Sequence, residues 1–285
     1  MRHLLIEPFE FGFMQRALVV SLVIGCVGGI VGTYVVLRRI AFFADTLTHT
    51  VFPGVAIAFV AGQSLWLGAL LAGVASAVLF SLATTNRRVG DDAAMAILLT
   101  TFFAVGVMVV SRVHSYTNDL VTLLFGRILT VDRADVLTTI AIGVVALGVV
   151  GSLHKELVFR AFDPEGARAL GFSPLALDLA LNLAVTLVVV AALQAVGTVL
   201  VIALLVTPAA TARLVTRGIG PMIVVGALLG MAAGYAGLII SYTASVDHGV
   251  RLATGATIVV VLTVVFAVVA GGTWIARRSA PTVVA

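Results

Sequence analysis

The chain is poor in charge, cysteine and lysine, and each shortage removes a class of function. Only 11% of its 285 residues are charged, 61% are hydrophobic, and the mean hydropathy is +1.20. No soluble domain carries that balance, so the composition specifies a polytopic membrane protein. A pI near 9.8 would suggest nucleic acid as a partner for a soluble protein. Here the arginines stand at the ends of apolar runs, where they report orientation instead. The single cysteine, Cys26, lies inside an apolar run, which excludes an internal disulfide and a thiolate metal cluster. The only lysine, Lys155, has no GxxxxGK(S/T) context, so this chain carries no P-loop and is not itself an ATP-hydrolysing enzyme. An intramembrane metalloprotease is excluded as well, because the five histidines are dispersed and no HExxH is present.

What the chain does have is long hydrocarbon. The apolar runs extend unbroken for about 20 residues, whereas barrel strands would alternate over about 10, so the fold class is all-α, a membrane helical bundle. Nine spans can be drawn, over residues 15–37, 40–62, 64–84, 93–111, 134–153, 174–193, 195–215, 221–242 and 254–276, in a single transmembrane domain covering 1–285. Placing the loop after the first span inside puts 11 of the 17 basic residues in the cytoplasm, among them Arg38, Arg160, Arg168 and Arg213. The C-terminus is then cytoplasmic and the N-terminus external. The opening MRHLLIEPFEFGFMQR mixes acids with aromatics and reads as an interfacial segment, not as a signal peptide.

The stretch RRIAFFADTLTHTVFPGVAIAFVAG, from Arg38 to Gly62, breaks the pattern. Asp45 and His49 are four residues apart, so on a helix their Cβ atoms lie about 6 Å from each other on one face, close enough for both side chains to meet one cation. Pro53 follows His49 by four and has no N–H to offer its carbonyl, which predicts a helix break. On the inferred orientation His49 is roughly 14 Å into the core, near the midplane where carriers keep their sites. Ionisable groups at that depth are costly and face a bundle interior or a water-filled path. A plainer arrangement is also open, with Asp45 as N-cap of a half-helix beginning at Thr46 and His49 hydrogen-bonded to it.

Other features are local. Gly25, Gly28, Gly29 and Gly32 in the first span, with Gly226, Gly230 and Gly234 in the eighth, form small-xxx-small pairs that let helix backbones approach closely. Pro208 repeats in the seventh span what Pro53 does in the second and predicts another break. Residues 111–134 form an outer loop with an amphipathic run from Leu120 to Leu129; His114, Asp119, Asp132 and Asp135 there read as solvated rim charges. In the cytoplasmic loop 154–174, Asp163 suits an N-cap, Pro164 a first turn and Gly171 a helix end, so about two turns are expected over Glu165 to Leu170.

The blocks RRIAFFADTLTHTVFPGVAIAF, DLVTLLFGRIL, FDPEGARALGFSP and AVGTVLVIALLVTPAATARL resemble, in this order and spacing, the permease subunits of ABC importers for zinc, manganese and related divalent metals. The resemblance implies a homodimeric pathway, two copies of a separate cytosolic ATPase that binds the ATP, and an extracytoplasmic metal-binding lipoprotein that delivers cargo. It implies that Asp45 and His49 take part in metal passage. It also makes FDPEGARALG a coupling helix, with Asp163, Glu165, Ala167, Ala169 and Gly171 meeting the ATPase. Arg127 departs from the pattern after LLFG, which argues against a metal site in the outer loop.

The chemistry of the pair agrees with that cargo. An Asp/His site suits Zn²⁺, Mn²⁺ or Fe²⁺ better than Cu(I), which prefers sulfur. Two ligands fall short of a structural zinc cage, as a site that must release its ion requires. Water, a carbonyl, the symmetry mate's pair, or Asn182, Gln194, Ser241 and Tyr242 are the candidates to complete the shell. The ligating forms are carboxylate and neutral imidazole, so acid weakens binding. Two alternatives share these residues: a secondary transporter driven by an ion gradient, and an ABC permease for a metal chelate or vitamin.

Overall fold

The computed structural model describes residues 7–85, 89–111, 128–250 and 252–279. Arg127, His114, Asp119 and most of the amphipathic run from Leu120 lie outside them. Twelve α-helices occur among the described residues, with no strand: α1 Gly12–Arg38, α2 Ala41–Thr50, α3 Phe52–Val60, α4 Leu65–Thr85, α5 Asp91–Val110, α6 Arg133–Ser152, α7 His154–Phe162, α8 Pro164–Ala169, α9 Pro174–Val196, α10 Thr198–Val215, α11 Ile219–His248 and α12 Thr254–Ser279. Eight segments are long and apolar enough to cross a membrane, α2 and α3 together making one of them, Ala41–Val60. A shorter apolar helix, Leu200–Val215, corresponds to the remaining expected span. The chain is thus a multi-pass helical membrane protein.

Helix α1 is the centre. In its most apolar stretch 67% of residues are buried, as in Ala41–Val60, against 11% in α12, so α1 lies inside the packing and α12 at its rim. The glycines explain why α1 can sit there. A Cβ at Gly25 would lie 2.5 Å from the carbonyl oxygen of Gly230, and one at Gly29 would lie 2.4 Å from that of Gly226. On a second face a Cβ at Gly32 would fall 1.7 Å from the Leu205 oxygen of α10. The helices therefore meet backbone to backbone, and contact of this kind is made by van der Waals packing instead of water exclusion, as lipid requires.

Pro208 lies inside α10, which continues through it, so the break expected there is absent. The carbonyl that Pro208 leaves without its helical donor is that of Leu204. It packs against Gly28 of α1, 2.9 Å from where a Cβ would be. The neighbouring helix shields the defect, which explains why the proline is tolerated.

At one end of the bundle a cavity of about 590 Å³ brings together residues 37–39, 84–85, 89–91 and 160–162 with Pro164, Arg168, Pro174, Asp178 and Arg213. These are segments that the charge argument placed on one side of the membrane, and the fold gathers them at one end. On the far side, Asp132 caps α6 in a reciprocal pair: Asp135 N–H donates to Asp132 Oδ1 at 2.8 Å, and Asp132 N–H to Asp135 Oδ2 at 3.2 Å. Those two rim acids serve a helix start.

Candidate functional site: a polar pair at a helix break

Asp45 and His49 both lie within α2. The N-cap of that helix is Ile40, so the arrangement with Asp45 as a cap does not occur. The opposite face of α2 is pinned into the core: Phe43 is fully buried and stacks on Phe80 with centroids 4.5 Å apart, and Leu47 is fully buried beside it. Fixing that face turns residues 42, 45 and 49 outward. His49 Nε2 stands 3.9 Å from Asp45 Oδ1, with 44% and 32% of the two side chains accessible. The pair is therefore close enough to share a ligand and open to receive one.

The interruption below it falls where Pro53 predicts and is slight: Val51 keeps helical φ −71° and ψ −27°, its N–H donates to Leu47 O at 3.1 Å, and that of Val55 donates to Val51 O at 3.2 Å. Helix α2 ends at Thr50, Val51 links, and α3 starts at Phe52 with Pro53 in its first turn. Phe103 of α5 sits edge-on to His49 at 6.4 Å and 6.0 Å from the ring of Phe52, giving the pair an apolar flank. The nearby hydroxyls serve the helix. Thr48 Oγ1 donates to the Asp45 carbonyl at 2.7 Å and Thr46 Oγ1 to that of Phe42 at 3.0 Å.

The polar groups considered for the rest of the shell are elsewhere. Asn182 donates to Ser81 Oγ at 2.9 Å between α9 and α4, and Ser241 bonds Thr254 Oγ1 at 2.9 Å. Tyr242 packs its ring near Phe11. The side chain of Gln194 lies outside the described residues. Among the described residues no three His, Cys, Asp or Glu side chains converge, and Asp45 and His49 stand as a pair.

The loop helix forms as its local signals dictate. Asp163 Oδ1 accepts from Gly166 N–H at 2.8 Å, Pro164 opens α8, and Gly171 follows its end at φ +85°, a left-handed position that suits glycine. The N–H groups of Gly171 and Phe172 close the end on the carbonyls of Arg168 and Ala167, both at 3.0 Å. Glu165, Ala169 and Gly171 are exposed. Ala167 is not: at 1% exposure it faces the bundle and cannot meet a partner, which corrects the expectation for that residue.

The sequence reading missed Asp178. It sits in the first turns of α9 and holds two arginines, Arg38 at 2.7 Å and Arg160 at 3.1 Å. Its signal was an acid just inside an apolar span among arginines assigned to the same face.

A family model described as the ABC 3 transport family matches residues 10–271. The chain belongs to the ABC 3 transport family. It is 37% identical over 257 residues to a manganese transport system membrane protein of Listeria innocua, covering 90% of this chain and 89% of that one. Over 240 residues it is 37% identical to a manganese import system permease protein of Streptococcus gordonii, covering 84% and 86%. Among solved structures, PsaBC from Streptococcus pneumoniae in complex with Fab matches with a TM-score of 0.80 and 32% identity, over 94% of this chain and 95% of that one. As a member of the ABC 3 transport family the chain is a membrane component of an ABC transport system.

Proposed function

We propose that this chain is the permease subunit of an ATP-driven importer of divalent transition metal ions, with Mn²⁺ as the first cargo to test. The observation that carries the reading is the Asp45 and His49 pair, 3.9 Å apart on the open face of α2, within a segment long and apolar enough to cross a membrane. The relatives named for manganese support Mn²⁺ as that first cargo. In this reading two copies form the pathway, and a second pair from the symmetry mate, with water, completes the shell. A cytosolic ATPase docks at the end that carries α8, on the side of the C-terminus, and an extracytoplasmic lipoprotein feeds the other end.

The test is uptake by the complex reconstituted in liposomes, with Mn²⁺, Zn²⁺ and Fe²⁺ in competition. Loss of an outer-shell contact alone costs about 10–100-fold in metal affinity, so Asp45→Ala and His49→Ala each lower uptake at limiting metal by at least about tenfold. Near-normal uptake by both variants rules out the site. Accumulation by the chain alone under an ion gradient would favour a secondary transporter instead.

A further inference from the structure

The metal-contacting helix and the loop helix are far apart in sequence, and the structure shows what joins them. Helix α1 ends at Arg38, and Arg39 then adopts φ +61°, ψ 28°, the only positive φ at a non-glycine among the described residues. Its N–H donates to Val36 O at 3.2 Å and that of Ile40 to Val35 O at 3.1 Å, closing a turn in which glycine is the usual residue. Helix α2 starts at once and carries Asp45 one turn in. A residue with a side chain held in this region is strained, and strain of this kind marks positions whose surroundings impose the geometry.

Beside this turn α7 packs against the end of α1. At its start His154 Nδ1 and Tyr34 Oη of α1 are 2.5 Å apart. At its last turn Arg160 meets Asp178 Oδ2 at 3.1 Å, while Asp178 Oδ1 meets Arg38, next to the elbow, at 2.7 Å. The three side chains are only 11–18% exposed. Three residues after Arg160, Asp163 caps α8. Helix α7 is thus strapped along the end of α1 at both of its ends, and the second strap runs through one carboxylate. Each arginine meets Asp178 through its Nη2, and the Nε atoms of both are buried without a hydrogen-bond partner. That is a joint held by two contacts, not a fully saturated network.

We propose that Asp178 is the positioning residue that carries movement of the coupling helix to the metal-contacting helix. It ties α7 to Arg38, so that displacement of α8 turns the Arg39 elbow and swings the face of α2 that bears Asp45 and His49. The inference rests on the importer reading above. Asp178 touches no cargo; it acts through Arg38 and Arg160.

The experiment measures Mn²⁺ transported per ATP hydrolysed by the liposome-reconstituted complex. Asp178→Asn keeps the shape and removes the charge that both arginines share. Coupling energies between sites correspond to about 5–150-fold, so the ratio falls at least about fivefold while ATP hydrolysis continues, and Asp178→Glu restores most of it. An unchanged ratio in Asp178→Asn overturns the proposal. So does a parallel loss of hydrolysis and uptake at constant ratio, which is the mark of a merely structural residue. If Asp178→Asn does not assemble, Arg38→Gln and Arg160→Gln decide in the same way, since each leaves Asp178 one partner: a lowered ratio supports the clamp and an unchanged one overturns it. Absence of ATP-driven uptake by the unaltered complex defeats the importer reading and the clamp with it. A retained ratio in the variants of an active complex defeats the clamp alone.

Discussion

Gly32→Ala tests the packing of the bundle at its tightest point. The added methyl would lie 1.7 Å from the Leu205 carbonyl oxygen, half of the 3.4 Å at which ordinary contact begins. The obstacle is backbone, so no rotamer change relieves it, and α1 and α10 must part by well over an ångström along a seam that also holds Gly28 against Leu204. Overpacking costs about 1–3 kcal/mol where side chains give way, and a backbone obstacle places this case at about 3 kcal/mol or above. The better helix propensity of alanine returns about 1 kcal/mol, leaving a net loss of about 2 kcal/mol. For a chain of this size that lowers Tm by about 4 °C or more, read by tryptophan fluorescence of the detergent-purified protein. Gly151→Ala is the control, because nothing lies within 4 Å of its Cβ position. The same propensity term then acts without a penalty, and Tm holds or rises. A Gly32→Ala protein that melts with the wild type would refute the backbone-to-backbone contact.

Two further substitutions address other contacts. Gly171→Ala places a side chain at φ +85° and costs about 1 kcal/mol at the end of α8, so ATPase binding to the permease in a pull-down weakens; undiminished binding and metal-stimulated hydrolysis would count against a coupling role. A double-mutant cycle on Asn182→Ala and Ser81→Ala should return a coupling of about 0.6 kcal/mol and no more than about 1.7 kcal/mol, the range for hydrogen bonds between membrane helices, and a value of zero would deny the bond seen at 2.9 Å.

What was legible in the sequence was whatever a short stretch of backbone decides for itself. Pro53 lacks a donor in any setting, so the end of α2 could be placed from one residue. Asp163, Pro164 and Gly171 delimit α8 because capping rules reach only three or four positions. Asp45 and His49 share a face because four residues make a turn. Pro208 carries the same local signal as Pro53 and gives a different outcome. The carbonyl it frees, that of Leu204, lies against Gly28, far away in sequence, whose missing side chain leaves room for it. Ala167 turns inward for a tertiary reason as well, since a two-turn helix shows no periodicity from which to choose its buried side. Asp178 was hidden by the opposite problem: charge at the ends of spans reads as topology, and nothing along the chain says that Arg38 and Arg160 will converge on the same carboxylate.

The glycine seam has a consequence for how the protein is made. Helix α1 is synthesised before α11, and the residues that cover its stripe, Gly226 and Gly230, follow about 200 residues later, which at ~5–20 residues per second is roughly 10–40 s on the ribosome. Throughout that interval the first helix waits in the bilayer with its bare backbone facing lipid or a temporary neighbour. A slip of one residue when the late helix arrives would set Cys26 or Ile30 where only hydrogen fits. The late arrival can therefore dock in one register, and nascent chains that stop before α11 have no means of sealing their own centre.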